Sequence, residues 1–348
     1  MEPVGPTLAL ARQMPDARLP ARPRGITCPP KRLSVARAWF GLLLAMASTT
    51  HADEAAVHDN AERIILETDI TFDVDDVGAM AVLHSLADAG RVKILAVNYN
   101  EVHPNGAAAI DAINTFYGRS DIPVGVYRGE FPDPDASRYL DHLATFPRRL
   151  RADGAPDALD VYRRVLGDED DRCVTIVSVG FLNNLADLLR AEAGLVASKV
   201  RKLVVMGGRH NDGFNLVRHG LVETTQEVIE NWPTPLAVSD YGGRVLTGAA
   251  LANTPADNPV REAYFRWFRG SFEGRSSWDQ VAVLYATYGA GDWFEEVTVG
   301  TASLRNGYSW DLKPGWRTYV SPRRSEREFA QSIEALMVRP PRGRLSDP

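Results

Sequence analysis

Four aspartates fall within eight residues, at a point where a strand pattern gives way to a helical one. Asp69, Asp73, Asp75 and Asp76 follow the apolar run 64–66 and precede a segment with helical spacing of apolar residues. Carboxylates packed this closely repel one another, and a folded chain tolerates them best around a cation or a polyol ligand. One aspartate could serve as a helix N-cap, but a single cap does not account for four. The cluster therefore predicts a site that binds a cation or a sugar.

The elements around this cluster predict an α/β fold. The order strand, acidic loop, helix places the carboxylates at the carboxyl end of a strand, where open α/β sheets bind ligands. Helical patterns at 77–89, 107–117, 182–193 and 222–231 alternate with β-branched runs at 63–67, 92–98, 122–126, 173–179, 202–206 and 235–238. Two further helices are expected within 131–171, and more helix within 253–289. This alternation predicts a single open, mostly parallel sheet with helices on both faces.

The first 52 residues resemble a leader that ends in a secretory signal peptide. Lys31 and Arg32 precede the apolar run 33–47, and Thr50-His51-Ala52 offers a small-x-Ala cleavage site. The apolar run is too short to span a membrane, so no stable membrane insertion is expected after cleavage near Ala52. We expect a periplasmic or secreted mature protein that begins near Asp53.

Removal of this leader makes the chain strongly acidic. Seven of the 39 basic residues and two of the 45 acidic residues precede Asp53, which leaves a net charge of −11. This charge argues against nucleic acid or an anionic membrane surface as a partner. The length that remains suits one large domain, expected at 53–338, and the Pro- and Arg-rich end at 339–348 is expected to be a disordered tail.

The order of motifs in the mature chain resembles the nucleoside hydrolase family, the inosine-uridine preferring type and its bacterial relatives. That family begins with a strand and an Asp-x-Asp…Asp-Asp cluster, which matches residues 67–76 here. Further landmarks occur in family order at 114–118, 122–125, 180–185, 205–208, 214–215 and 277–279. The resemblance covers residues 64–337 and implies an enzyme that hydrolyses N-glycosidic bonds.

A calcium site is part of what the resemblance implies. The family's ligands correspond to the carboxylates of Asp69, Asp76 and Asp279 and to the backbone carbonyl of Asn183. The chemistry is consistent, because calcium prefers six to eight oxygen ligands from carboxylates, carbonyls and water.

The family's sugar contacts also have counterparts. Asp75 corresponds to the residue that accepts a hydrogen bond from the ribose 2′-hydroxyl, and Asn215 and Met206 correspond to other sugar contacts. Met206 is equally well explained as a core residue. Asn105 is the candidate for an asparagine contact in the loop after the second strand, with Asn98 and Asn100 as alternatives.

The implied reaction is hydrolysis of the N-glycosidic bond of a ribonucleoside or a related small ribosyl compound. A calcium-bound water would attack the anomeric carbon, through an oxocarbenium-like state stabilised by the carboxylates. Calcium lowers the pKa of water less than zinc does, so a base is required, and Asp69 is the candidate. Family members are commonly dimers or tetramers, so a homo-oligomer is one expectation.

The chain departs from the family pattern on the side of the leaving group. Where the inosine-uridine type has a histidine that can protonate the departing base, this chain has Trp278, which stacks but does not supply a useful acid. Gly213 stands where the family has a sugar-contacting glutamate. His210 and His219 are candidate acids or structural histidines, and Asp240 follows a strand end nearby. The acidic loop is also two residues longer than the family's shorter form.

Two other classes of protein match parts of the pattern. A phosphatase of the haloacid dehalogenase type also places Asp-x-Asp after a first strand, but Glu67-Thr68-Asp69 lacks the leading Asp nucleophile and no suitable Lys follows. A non-catalytic calcium- and sugar-binding protein on a hydrolase scaffold is the alternative that Trp278 and Gly213 favour. Turnover requires Asp69 and calcium, whereas binding alone would survive an Asp69→Asn change.

Overall fold

The computed structural model of the chain describes residues 61–150, 154–208, 214–304 and 309–344. The predicted leader, with its cleavage site near Ala52, lies outside the described residues, as do His210 and Gly213. Of the predicted tail, residues 339–344 are described and include a short 3-10 turn at Arg342–Arg344. Among the described helices, none is long and apolar enough to cross a bilayer.

Within the described residues, eight strands form one sheet in the order β3-β2-β1-β4-β5-β6-β10-β9. Seven of these strands are parallel to one another and β9 pairs antiparallel with β10 at one edge. This open sheet confirms the predicted fold class. The strands are β1 Glu62–Thr68, β2 Val92–Tyr99, β3 Val124–Val126, β4 Val174–Ser178, β5 Val200–Met206, β6 Leu236–Ser239, β9 Phe294–Ser303 and β10 Ser309–Pro322, and a separate antiparallel pair consists of β7 Leu246–Thr247 and β8 Arg275–Ser276.

Helices connect the strands and cover the sheet. The six predicted strands all occur within two residues of their expected bounds, and the segment 131–171 contains the two helices expected there. The helices are α1 Asp75–Asp88, α2 Gly106–Phe116, α3 Leu140–Leu143, α4 Ala158–Gly167, α5 Asn183–Lys199, α6 Val222–Asn231, α7 Pro259–Trp267, α8 Trp278–Tyr288 and α9 Glu326–Met337.

The apolar core has two layers because both faces of the sheet are covered. Ile64 and Leu66 of β1 pack into a cluster with helices α1, α2, α8 and α9, while Ile65 packs into a second cluster with α4, α5 and α6. Successive side chains of a strand point to opposite faces, so an uninterrupted apolar run suits a strand buried on both sides. All three of these residues are fully buried.

The strand order reverses direction between β1 and β4. From β1 the chain first builds outward through β2 and β3, and then starts again on the other side of β1 with β4, β5 and β6. The loops that leave β1 and β4 therefore diverge, and a crevice opens between them at the carboxyl ends of the strands. Asp69 follows β1 and Gly180 follows β4, so the acidic loop lies at this crevice.

Gly78 lies where α1 packs closely against α7 and α8. A Cβ atom at this position would lie 2.2 Å from Gln280 Nε2 and 2.5 Å from the Tyr264 hydroxyl oxygen. We expect Gly78→Ala to lower the free energy of unfolding by about 1 to 3 kcal/mol, because overpacking outweighs the better helix propensity of alanine. Chemical denaturation followed by circular dichroism measures the change.

Gly194→Ala is the matched control for this substitution. Gly194 is an exposed position of α5 at which an added Cβ meets no atom within 4 Å. Alanine there is expected to raise the free energy of unfolding by up to about 1 kcal/mol. Equal effects of the two substitutions would contradict close packing at Gly78.

Candidate active and metal site

A cavity of about 410 Å³ opens at the carboxyl ends of the central strands. It is the crevice expected from the reversal of strand order, and its lining contains many carboxylates and three aromatic rings. The described residues that line it are Asp69, Phe72, Asp73, Asp75, Asp76, Val179, Met206, Gly208, Phe214, Asn215, Asp240, Arg275, Trp278 and Asp279.

Three aspartates from two helices converge on this cavity. Asp75 and Asp76 open α1, and Asp279 is the second residue of α8. One carboxylate oxygen from each lies within 4.8 Å of the other two, and all three residues are buried. Asp69 lines the same cavity from the end of β1 but is not part of this group of three. Asp75 and Asp279, which are 204 positions apart in the sequence, thus belong to one acidic group.

Burial raises the pKa of each of these carboxyl groups well above its usual value. For Asp69 and Asp279, repulsion from Asp75 raises the pKa further, and for Asp76 repulsion from Asp69 adds to the effect of burial. The pKa of Asp75 is likewise raised by burial and then by its neighbours Asp73 and Asp76. A bound divalent cation would reverse this repulsion and favour the charged forms.

The donor set suits a hard divalent cation. The Oδ1 atom of Asp279 is buried and has no hydrogen-bond partner, whereas the Oδ1 atom of Asp76 accepts a hydrogen bond from the Thr68 hydroxyl. A buried carboxylate oxygen without a donor is costly unless a cation satisfies it. Oxygen ligands of this kind are those that calcium and magnesium prefer. The acidic group can therefore bind a metal ion.

A buried polar network holds the loops that leave β1, β2 and β4. Glu67 accepts hydrogen bonds from Asn100 Nδ2 at 3.1 Å, Asn184 Nδ2 at 2.9 Å and the Tyr162 hydroxyl at 2.8 Å. Asn100 in turn binds both backbone groups of Phe181, donating to its carbonyl and accepting from its N–H. Burial raises the pKa of Glu67 to about 7, although the three donors oppose that rise. The network fixes the turn after β4 against the start of the acidic loop.

Gly180 is required where this turn meets the acidic loop. A Cβ atom on Gly180 would lie 2.5 Å from the Asp69 backbone nitrogen, 2.8 Å from Asp69 Oδ1 and 2.5 Å from Asn100 Oδ1. No side chain larger than hydrogen fits at these distances, so the glycine permits Asp69 to approach the turn.

Two of the predicted site residues lie outside the cavity lining. Asn183 is the buried first residue of α5, and its Nδ2 atom donates to the Asn100 carbonyl at 2.9 Å while its Oδ1 atom has no partner. The structure does not bring Asn105 into the cavity: it precedes α2, and its amide donates to Asp141 at 2.9 Å. Asn100, an alternative candidate for the sugar contact, donates hydrogen bonds to Glu67 and to the Phe181 carbonyl. The sugar-contacting role of Asn105 remains a prediction.

Asn215 and Met206 both line the cavity, as expected for sugar contacts. Asn215 is buried, and its amide donates to the Val179 carbonyl at 2.6 Å and lies 4.0 Å from the Met206 sulfur. Both residues can therefore contact a bound sugar, and Met206 also packs against the apolar core.

The extra length of the acidic loop builds part of the cavity rim, which the sequence motifs did not predict. Phe72 is 50% exposed at the tip of this loop, and its ring centroid lies 5.8 Å from that of Phe214. Asp73 forms a bidentate ion pair with Arg275, whose guanidinium lies 5.0 Å from the centroid of the Trp278 ring. Arg275 stands four residues before Asp279, and this closeness in sequence is the feature that could have identified Arg275 as a site residue.

A second polar cluster lies beside the cavity and includes one candidate acid. His219 Nε2 is 3.5 Å from Asp135 Oδ2, and the ring stacks on Phe131 with centroids 4.5 Å apart. Asp135 also pairs with Arg218, and its backbone N–H donates to Glu101 at 2.9 Å. His219 is not among the described lining residues of the cavity, and its side chain is only 3% exposed.

Comparison with known proteins agrees with this architecture. The family described as inosine-uridine preferring nucleoside hydrolase matches residues 64–237, half of the chain. No curated protein matches the chain in sequence.

Solved structures of several hydrolases and of an effector protein share the fold. An inosine-uridine preferring nucleoside hydrolase from Bacillus anthracis is 13% identical, with 79% of this chain and 99% of that chain covered and a TM-score of 0.61. A purine-preferring ribonucleoside hydrolase from Gardnerella vaginalis is 15% identical, with 79% and 99% covered and a TM-score of 0.58. The type III effector protein XopQ, solved with adenosine diphosphate ribose, is 15% identical, with 83% and 97% covered and a TM-score of 0.59.

Cation binding at the acidic group should release protons. Because burial and mutual repulsion keep the pKa values of Asp69, Asp75, Asp76 and Asp279 high, the cation-free protein holds protons that a divalent cation must displace. We therefore expect calcium affinity to rise with pH, by about tenfold per pH unit for each proton displaced. Calorimetry in buffers of different ionisation enthalpy, at pH 6 and pH 8, measures both affinity and proton release.

The exposed Asp160→Asn substitution, on α4 and outside the cavity lining, is the control and should leave proton release unchanged. Calcium uptake at pH 6 without proton release would contradict the account of the buried carboxyl groups.

Proposed function

We propose a specific reaction for this chain, which belongs to the inosine-uridine preferring nucleoside hydrolase family and is accordingly a hydrolase that acts on N-glycosyl compounds. The reaction is the calcium-dependent hydrolysis of the N-glycosidic bond of a ribonucleoside or a related ribosyl compound. One observation carries the proposal: buried carboxylates from two distant helices meet in a cavity at the reversal of strand order, and one of their oxygens lacks a partner.

The proposed ligands of calcium are the carboxylates of Asp69, Asp76 and Asp279 and the carbonyl of Asn183. When bound, calcium supplies Lewis acidity and a fixed orientation for the sugar hydroxyls and the attacking water. Asp75 would accept a hydrogen bond from the ribose 2′-hydroxyl, because it lies in the same group of carboxylates without being one of the proposed ligands.

Asp69 is the proposed general base. It lies at the end of β1 on the wall of the cavity, and its pKa is raised by burial in the absence of a cation. It would take a proton from the water that attacks the anomeric carbon. Positive charge then develops on the sugar ring, and the surrounding carboxylates stabilise it electrostatically. Asn215 and Met206, which also line the cavity, would position the sugar.

A non-catalytic role in calcium and sugar binding is the second candidate. Trp278 lines the cavity and offers no proton to a leaving base. Such a protein would bind ribosides in the presence of calcium and release no ribose. An assay of ribose release distinguishes the two roles, because only an enzyme releases ribose and that release depends on Asp69.

Ribose release from a panel of purine, pyrimidine and nicotinamide nucleosides tests the proposed function. Protein beginning at Asp53 is assayed with calcium and again after chelation. We expect release that the chelator abolishes. Calcium binding with no release from any nucleoside would favour the non-catalytic role.

Three substitutions assign the roles of individual carboxylates. Asp76→Ala should abolish both calcium binding and ribose release, because it removes a ligand from a buried site. Asp69→Asn should lower kcat by about 100- to 10 000-fold, the contribution of a general base, with weaker but measurable calcium binding. Asp160→Asn, an exposed change on α4, should leave both properties intact. Unaltered calcium binding in Asp76→Ala would refute the proposed ligand set.

A further inference from the structure

The described wall of the cavity carries a large excess of negative charge. Six aspartates line it, and Arg275 is the single basic side chain among the described lining residues. Arg275 is bound in a bidentate ion pair to Asp73, so its charge is paired chiefly with that carboxylate. With a divalent cation bound and all carboxylates ionised, the lining would still hold three more negative charges than positive ones. Such a cavity attracts cationic ligands and disfavours anionic ones.

The carboxyl groups are the only side chains of the described lining that could protonate a leaving base, and a bound divalent cation favours their ionised form. The described lining contains no histidine, lysine, cysteine or tyrosine. The indole N–H of Trp278 and the guanidinium of Arg275 do not give up a proton near neutral pH. Asp240, another lining residue, accepts a hydrogen bond from the Tyr319 hydroxyl. With these carboxyl groups ionised, a neutral base finds no proton donor among the described lining residues and would depart as an anion beside a negatively charged wall.

Three aromatic rings, those of Phe72, Phe214 and Trp278, also line the cavity, and cationic side chains lie over each of them. The Arg218 guanidinium lies 5.6 Å from the centroid of the Phe72 ring and 4.8 Å from that of Phe214, and Arg275 lies 5.0 Å from that of Trp278. Half of the Phe72 surface remains exposed. Electron-rich ring faces bind planar cations, most strongly where water is excluded.

We propose that the substrates of this site are ribosides whose heterocycle already carries a positive charge, such as N-ribosylpyridinium compounds and 7-alkylated purine ribosides. This inference rests on the proposed function and specifies its substrate class. Water forms the new C1′–O bond, and the electron pair of the broken C1′–N bond returns to the ring nitrogen and cancels its charge. The heterocycle leaves as a neutral molecule and needs no acid, while the proton of the water passes to Asp69 and then to solvent.

The comparison of 7-methylinosine with inosine tests this substrate class, with nicotinamide riboside as a second cationic probe. At a pH low enough to keep N1 of 7-methylinosine protonated, the two purine ribosides differ by one methyl group and one positive charge. We expect kcat/KM for 7-methylinosine to exceed that for inosine by about 100- to 10 000-fold, the usual contribution of a general acid that neutral bases would lack here. Values within tenfold of each other, with inosine hydrolysed, would overturn the inference and leave the proposed function intact. If no riboside is hydrolysed, the proposed function fails and the inference with it.

Cationic ribosides are also intrinsically more labile than neutral ones. Two variants distinguish this effect from a preference that the charge of the cavity and the missing acid impose. Asp240→Asn removes one charge from the wall at constant shape, and it should weaken binding of 7-methylinosine by about three- to tenfold more than binding of inosine. Trp278→His introduces an acid, and it should lower the preference for 7-methylinosine over inosine at least tenfold by raising turnover of inosine. If neither variant changes the preference, charge and the missing acid do not determine specificity, and the inference is wrong.

Discussion

The repulsion among buried carboxylates at the crevice between β1 and β4 is the constraint on which the rest of this structure depends. Asp69, Asp75, Asp76 and Asp279 are each nearly inaccessible to solvent, and burial raises the pKa of every one of them. A fold keeps such a group only if the elements that carry it are held firmly and if something in the site compensates the charge. A divalent cation is the simplest compensation, and a cationic substrate is a second one.

The surrounding structure supplies the rigidity that this group needs. The network centred on Glu67 joins the ends of β1 and β2 to the turn after β4, and Gly180 leaves the room that this turn needs to lie against Asp69. On the other side, close packing of α1 against α8 brings the first turns of both helices together, which places Asp76 beside Asp279. The ion pair between Asp73 and Arg275 fixes the longer acidic loop and carries Phe72 to the rim.

Much of this architecture follows from local patterns in the sequence, and the remainder depends on contacts between distant residues. β-branched runs predicted β1 to β6 because strands buried on both faces need uninterrupted apolar segments. The hairpin of β9 and β10 was missed, since its strands carry charged residues and Pro314 and lack the clear alternation of an amphipathic strand. Helix α9 was also missed, although the capping box of Ser325 and Glu328 was a readable signal for its start. Within the site, the acidic loop was evident from composition, whereas the pairing of Asp73 with Arg275 joins residues 202 positions apart and no local pattern reports it.

A crystal structure of the mature chain grown with calcium tests the central claim most directly. We expect one calcium ion in the cavity, at about 2.3 to 2.6 Å from carboxylate oxygens of Asp69, Asp76 and Asp279 and from the carbonyl oxygen of Asn183. Anomalous scattering identifies the ion independently of its ligands. An empty cavity, or an ion held instead by Glu101, Asp135 and His219, would contradict the account.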